Sequence, residues 1–432
     1  MLIKNRVKLS TSKLKSDVLS LLDYGLSSIS PESIVHQVHW DSKKRVLRIK
    51  DRSFNVKGRI FIIGAGIGVD EFVSVLERIF EDDLTAGIVL SDNPHWHSCR
   101  KVHVLKANPL KITKLNLRHS QYLLDLKKSC AISKDDLVLS IFNSNAHMML
   151  ESLEVPISDF YNYVKLAKSS DFNLKDFNAF RDLVSSIRAG GLALHFQPAK
   201  IISLNLFSSA SNSFFKFEEE GFIDSNSNLI EKLGLGDKIS FEEGVETKFP
   251  CVEELTLFSN SFVLKELSEY AKKLGYNPKV ISDSFNGSLK NISINFLHDI
   301  FVKNKSSHDC YIFGAHFNHL NDLFFSKKLR SYSEFKNHYF ILSAVDLLKH
   351  SVKDWAISSV STGTSINLKH SGIIFDSRTS MDDNIFELLD SNVLVDNNSS
   401  LIHGFFKKSK SSLIELSGSG ANVSEIGILL RK

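Results

Sequence analysis

The sequence predicts an α/β protein of two domains built on mostly parallel sheets, and three observations carry that reading. At 432 residues the chain is too long for one ordinary hydrophobic core. Short apolar segments alternate with helical patterns from Ile60 to Phe142, and that rhythm produces parallel strands covered by helices on both faces. The stretch "RIFIIGAGIGVDEF", Arg59 to Phe72, runs an apolar strand into three glycines and out into a helical pattern, a strand–turn–helix arrangement suited to holding phosphate.

The elements follow in order. The first sixteen residues are basic, contain Ser and Thr and are free of acids, a composition shared by transit peptides, and the simpler reading is a solvated lead-in to the first helix. Leu14, Val18, Leu21, Leu22, Leu26 and Ile29 then share one helical face. Ser30, Pro31 and Glu32 give the start signal of a second helix, and "RVLRIKDRSFNVKG" reads as a hairpin. Strands are expected at Ile60–Ile63, Gly87–Leu90, Val102–Leu105 and Leu137–Phe142, with helices near Phe72–Ile79 and at "SQYLLDLKKS". Helical patterns run from Ile157 to about Ala189 and close at Gly190 and Gly191, and "AKIISLNLF" is a further strand. From Ser208 to about Lys248 the chain is polar and irregular, which reads as loop and linker and places the domain division at 1–250 and 251–432. Beyond it Val263, Leu267, Tyr270, Ala271 and Leu274 line a helix that Gly275 ends before a strand at Pro278. Strands near Cys310–Phe313, Ala356–Val360 and Gly372–Phe375 alternate with helices near Phe335–Leu348 and 384–390.

Composition narrows the function classes. The net charge of +4 is spread along the chain, with no basic block beyond short clusters such as Lys43–Arg45 and Lys407–Lys408, which argues against nucleic acid. Cys99, Cys130, Cys251 and Cys310 lie far apart with no CxxC pair, so neither a disulfide framework nor a closed zinc site is expected. No apolar run is long enough to span a membrane and the N-terminus lacks a signal-peptide core. Together these point to the cytoplasm.

Three clusters are candidate sites. Gly64, Gly66 and Gly68 form a GxGxG turn, neither the GxGxxG fingerprint nor a GxxxxGK[ST] loop; it is either an anion cradle or a structural βα turn. "HWHSC" places His95, His97 and Cys99 at alternating positions with His103 nearby, a metal-ligand pattern with no matching partner pair, so a solvated loop is the simpler reading. Asn178, Arg181, Ser185 and Arg188 fall at helical spacing in "NAFRDLVSSIRAGG", and two arginines near a glycine pair either clamp an anion or line a solvated helix face.

Taken in order, these segments resemble the glycerate 2-kinase family with a C-terminal MOFRL domain. "LLDYGLSSISPESIV" is similar to its N-terminal helix pair, "FIIGAGIG" to its IGAGKA loop, "DDLVLSIFNSNAHMML" to DDLVLVLISGGGSALL, and "NAFRDLVSSIRAGGLA" to NxVRxHLSxIKGGxLA. "PAKIISLNLFSSASN" stands where the family has a strand ending in SDVPGD, "SNSFVLKELSEYAKKLGY" resembles the helix before the MOFRL region, and "TGTSINLKHSGIIFD" and "SGSGANVSE" take the places of TDGxDGxxxAAGAxxD and TGPTGTNVND. The resemblance implies an N-terminal Rossmann-like domain and a C-terminal MOFRL-type α/β domain with a cleft between them. It also implies phosphoryl transfer from ATP to the 2-hydroxyl of D-glycerate with a divalent metal such as Mg2+.

The letters that carry that chemistry have changed. The loop lysine is Ile67, the GGGS loop is Ser144, Asn145, Ala146 and His147, and the aspartates fall on Ser208, Thr362 and Ser365. Lys336 replaces an arginine beside a retained Asn337, and Arg188 replaces a lysine. By resemblance, Arg181, Arg188 and Lys336 would meet phosphate or carboxylate. Gly64, Gly66, Asn178, Ser185, Asn337, Gly420 and Asn422 would support the ligand, and no residue is assigned to metal. The expectation is a small-anion-binding protein, a homodimer being allowed, with weak or lost kinase activity. The alternatives are a non-catalytic regulatory protein and an enzyme in which His147 acts as acid or base.

Overall fold

The computed structural model describes residues 2–95, 99–169, 180–207, 214–215, 251–285, 296, 300, 308–315, 337–338, 340–342, 344–345, 348, 354–362, 371–379, 410–417 and 420–432. The chain divides into two compact units, a flanking unit of Met1–Ser33 with Phe258–Lys432 and a central unit of Ile34–Leu257. This division differs from the one at residue 250 drawn from composition. The N-terminal helices belong to the flanking unit, and the segment after residue 250 still belongs to the central sheet. No described helix is long and apolar enough to cross a membrane.

The chain opens with α1 (Arg6–Leu9) and α2 (Lys13–Ser27), the latter capped by the Ser12 hydroxyl, which accepts the Lys15 N–H. Val18, Leu21 and Leu22 are fully buried. The expected lead-in is not solvated: Ile3 is buried, bridges to Leu416, and is followed by Asn5, whose amide donates to the Leu413 carbonyl at 2.8 Å. Residues Pro31–His36 form a 3-10 helix rather than the expected α-helix. Ser30 donates its hydroxyl to the Ser27 carbonyl instead of capping the new turn.

The central unit begins with a small antiparallel sheet of β1 (Val38–Asp41), β2 (Val46–Ile49) and β3 (Arg52–Asn55). Next come β4 (Ile60–Ala65), α3 (Val69–Phe80), β5 (Leu84–Ser91), β6 (Val102–Lys106), α4 (Lys114–Ser129) and β7 (Leu137–Phe142). They are followed by α5 (Ala146–Met149), α6 (Ile157–Ser169), α7 (Gly191–Phe196), β8 (Lys200–Asn205) and β9 (Val252–Thr256). The large sheet has the order β6-β5-β4-β7-β8-β9 and is parallel throughout. The chain winds outward from β4 on one side and from β7 on the other, so a topological switch point lies between them, the place where such sheets hold ligands. Both strands are buried along their whole length, as near-continuous apolar runs in a doubly covered sheet must be, with Ser140 the one polar side chain in β7.

In the flanking unit α8 (Asn260–Lys273) is capped by Ser259 and leads to β10 (Pro278–Phe285), β11 (Cys310–Ala315), β12 (Trp355–Ser361), β13 (Gly372–Asp376), β14 (Leu413–Ile414) and β15 (Glu425–Arg431). The order is β10-β11-β15-β12-β13-β14, parallel only between β10 and β11. β15, absent from the sequence reading, runs through the middle of this sheet. The helix expected at Phe335–Leu348 is present where described, with Phe340, Ile341, Val345 and Leu348 in the core. The helix expected at 384–390 lies outside the described residues.

Candidate functional site

The glycine turn after β4 sits at the switch point. Gly66 has φ +139° and Gly68 +63°, conformations that favour glycine. A Cβ at Gly66 would lie 2.7 Å from the Asn143 nitrogen, so the turn packs directly against the loop after β7. Each successive amide of the turn has a protein acceptor. Gly66 N–H donates to the Leu90 carbonyl (3.1 Å), Ile67 N–H to the Ser144 carbonyl (3.0 Å), and Gly68 N–H to Asp92 Oδ1 (3.0 Å). Asn143 completes the lock, donating its N–H to the Ala65 carbonyl at 3.0 Å and its side-chain amide to the Ile67 carbonyl at 2.8 Å. Ile67 itself is buried. Gly64 lies within β4, where a Cβ would come 2.3 Å from the Ile141 carbonyl oxygen.

Phosphate held at such a turn needs outward-pointing amides. With these donors bonded internally and an aliphatic side chain at the lysine position, the turn does not fit the phosphates of ATP. The described residues also contain no group of three or more His, Cys, Asp or Glu arranged to hold a metal ion.

Below the second loop lies a buried polar network. Arg181 donates through Nη2 to Glu151 Oε2 at 2.9 Å and to the His147 carbonyl; its side chain is 3% exposed and that of Glu151 0%. Ser185 donates to Glu151 Oε1, and the Glu151 N–H donates to Ser120 Oγ at 2.9 Å. Burial and the neighbouring Arg188 pull the Arg181 guanidinium down to about 10, against the opposing charge of Glu151. Arg188 pairs with Asp182 at 2.5 Å and places Nη1 3.1 Å from His147 Nδ1. A guanidinium only donates, so this imidazole nitrogen accepts and the proton of the neutral ring sits on Nε2. The His147 ring stacks on Phe214 with centroids 4.4 Å apart. Arg181, Ser185 and Arg188 are thus brought together, the first two converging on Glu151.

Beside Asp92, a second acid flanks the turn. Asp70, in the first turn of α3, is fully buried and accepts from Ser91 Oγ (2.6 Å), His95 N–H (2.9 Å) and His95 Nδ1 (3.1 Å). Of the HWHSC pattern, His95 and Cys99 are described and His97 is not.

In the flanking unit, Asn337 is buried, donates to Ser361 Oγ at 2.7 Å and accepts from Ser359 Oγ. Ser361 in turn donates to Glu425 Oε1 at 3.3 Å. Thr362 Oγ1 donates to the Ser424 carbonyl at 2.8 Å and accepts the Val423 N–H at 2.9 Å. Asn422 Oδ1 accepts the Ser424 N–H, and the residue after Gly420, Ala421, donates to the Ile29 carbonyl. Asn178, Lys336, Ser208 and Ser365 lie outside the described residues.

The sequence reading missed Glu151, Asp92 and Asp70. The signal available for Glu151 was an arginine on an otherwise apolar helical stripe beside Phe180 and Val184, since a guanidinium in such surroundings requires a carboxylate.

Comparison with known proteins agrees with this architecture. Residues 17–208 match the family described as Domain of unknown function DUF4147. Glycerate 2-kinase of Picrophilus torridus is 21% identical over 71% of this chain and 73% of its own length. Glycerate kinase of Mus musculus is 21% identical over 63% of this chain, the match spanning 58% of its length, and that of Homo sapiens is 20% identical over 66%, spanning 60%. The chain therefore spans less than two thirds of these mammalian relatives. Among solved structures, a Pyrococcus horikoshii protein superposes with a TM-score of 0.70 at 14% identity, covering 97% of this chain and 99% of that one. Glycerate kinase of Thermotoga maritima superposes with a TM-score of 0.69 at 16% identity, covering 96% and 99%. Over most of its length the chain is thus similar in sequence to glycerate kinases, and it shares the fold of one of them.

Proposed function

We propose that this protein is a divergent glycerate 2-kinase whose scaffold is kept, whose ATP-dependent phosphorylation of D-glycerate is severely weakened, and which still binds a small anionic metabolite such as glycerate. The observation that carries the reading is the switch-point turn, where Gly66, Ile67 and Gly68 amides bond to Leu90, Ser144 and Asp92 and the lysine position holds buried Ile67. Phosphoryl transfer depends on positioned positive charge and donors aimed at the migrating group. Loss of one such donor costs about 100-fold or more in kcat. Arg188, tied to Asp182 through Nε and to His147 through Nη1, has further N–H donors for an anion. The cytoplasmic setting proposed with this function rests on the wide spacing of Cys99, Cys130, Cys251 and Cys310, which offers no disulfide framework.

The test is ADP release with ATP, Mg2+ and D-glycerate beside an active relative, paired with thermal unfolding in D-glycerate and phosphoglycerate. The expected result is a rise in Tm with turnover reduced about 100-fold or more. Turnover at the relative's rate overturns the reading. A rise in Tm with no product at all favours a purely regulatory binding protein.

A further inference from the structure

We propose that the first half of α4 and the turn before it form a docking surface for an anionic phospholipid membrane. Leu110, Leu115 and Tyr122 stand 56%, 37% and 49% exposed. Scattered singly such side chains need no explanation, but here the fold holds them together. Lys114, Leu115, Arg118 and Tyr122 fall within about 100° of one another around the axis of α4. Leu110 is set at the head of this face by a closed turn. The Asn108 side-chain oxygen accepts the Leu110 and Lys111 N–H groups at 2.9 and 3.1 Å. Asn116, buried in the first turn of α4, accepts the Asn108 N–H at 3.0 Å and donates its amide to the Asn108 carbonyl at 2.9 Å. His119 draws the end of β6 alongside, donating through Nδ1 to the Lys106 carbonyl at 2.7 Å.

The charge around these apolar side chains has one sign. Between Asp92 and Asp125 the sequence holds no acid, and Lys106, Lys111, Lys114 and Arg118 are exposed and form no ion pair among the described residues. In sequence these cations are too widely spaced to make a block; the turn and the helix gather them. Asp125, bonded to Gln121 Nε2 at 2.8 Å, bounds the patch towards the end of α4. Two copies of such a face repel each other, which disfavours self-association through it. An anionic bilayer suits every group present: leucine enters the boundary of headgroups and acyl chains, tyrosine lies at headgroup depth, and the cations meet lipid phosphate and carboxylate. A fluid bilayer also accepts the protruding Leu110 without the matching pocket that a protein partner has to supply.

The test is sedimentation of the full chain with phosphatidylcholine vesicles, with and without phosphatidylserine, at low and high salt. Binding is expected only where phosphatidylserine is present, and salt weakens it. Lys114→Gln with Arg118→Gln lowers it about 25-fold, at about fivefold for each basic side chain removed. Leu110→Ser with Leu115→Ser, which keeps every charge, lowers it about tenfold. All four positions are exposed, and circular dichroism checks that each variant keeps its fold. Equal binding to both kinds of vesicle, or none to either, overturns the proposal. Phosphatidylserine-dependent binding undiminished in either pair of variants places the contact elsewhere and overturns it too. Capture by polyglutamate without vesicle binding overturns it in favour of an acidic protein partner.

Discussion

Replacing Arg181 by methionine tests whether this arginine belongs to the scaffold or to a ligand. The guanidinium and Glu151 are 3% and 0% exposed and 2.9 Å apart, so the substitution leaves a carboxylate buried with only the Ser185 hydroxyl and local donors. Breaking a buried pair from one side costs about 3–5 kcal/mol, of which the loss at Arg181 is at the lower end because its Nε is buried with no acceptor among the described residues. For a unit the size of Ile34–Leu257 that corresponds to a fall in Tm of roughly 6–20 °C. Neutralising the partner as well, in Arg181→Met with Glu151→Gln, restores much of the loss, and the cycle gives a coupling of about 2 kcal/mol or more. The assay is urea unfolding of the four proteins followed by circular dichroism, with the glycerate response of Tm read on each. A single-variant loss below about 1 kcal/mol refutes the assignment of a structural ion pair. If stability returns in the double variant and the glycerate response does not, Arg181 touches the ligand.

Ile67→Lys, which restores the family letter, is expected to destabilise rather than activate. The site is 7% exposed and its N–H already serves Ser144, so an ammonium there costs several kcal/mol, and a tenfold gain in ADP release would refute the closed-turn argument. Gly66→Ala meets the Asn143 backbone at 2.7 Å with φ +139°, and a loss of about 2 kcal/mol or more in urea unfolding is expected. Asp136 is held down to about 2; burial raises it, and hydrogen bonds from Arg59 and Ser133 outweigh that. Since its folded value lies below the ordinary 3.8 of an aspartate, its contribution is present above pH 4–5 and is lost as pH falls towards 2. Arg59→Met, which removes the 2.8 Å pair, should flatten that part of the stability–pH curve by up to about 2 kcal/mol before screening at the half-exposed arginine is counted.

Much of the fold was legible because it is local. The run Ile60–Ile63 is wholly apolar and Leu137–Phe142 is apolar but for Ser140, both bounded by turn residues, and the α8 signals, Ser259 before and Gly275 after, act within one helix. What escaped depends on distant partners. Glu425–Arg431 is a short apolar run with no hairpin mate beside it, and becomes a central strand only by pairing with β11 and β12. The N-terminal residues look like a solvated tail until Asp23 takes the Leu2 and Ile3 amides at 2.6 and 3.1 Å and Leu416 bridges to Ile3.

The site divides the same way. Spacing shows that a glycine turn exists and the family resemblance implies that its lysine is missing, but whether its amides face outward is decided by β5 and the loop after β7, through Leu90, Asp92 and Ser144. Helical spacing likewise groups Arg181, Ser185 and Arg188, yet cannot distinguish a polar face turned to a ligand from one turned to Glu151, thirty positions earlier than Arg181. Burial separates the two cases physically: a guanidinium at 3% exposure must hold an internal carboxylate in the absence of any ligand. An arginine committed to that partner cannot also neutralise a phosphoryl group without releasing it, so any anion chemistry in the central unit falls to donors the fold has not already spent, among them those of Arg188.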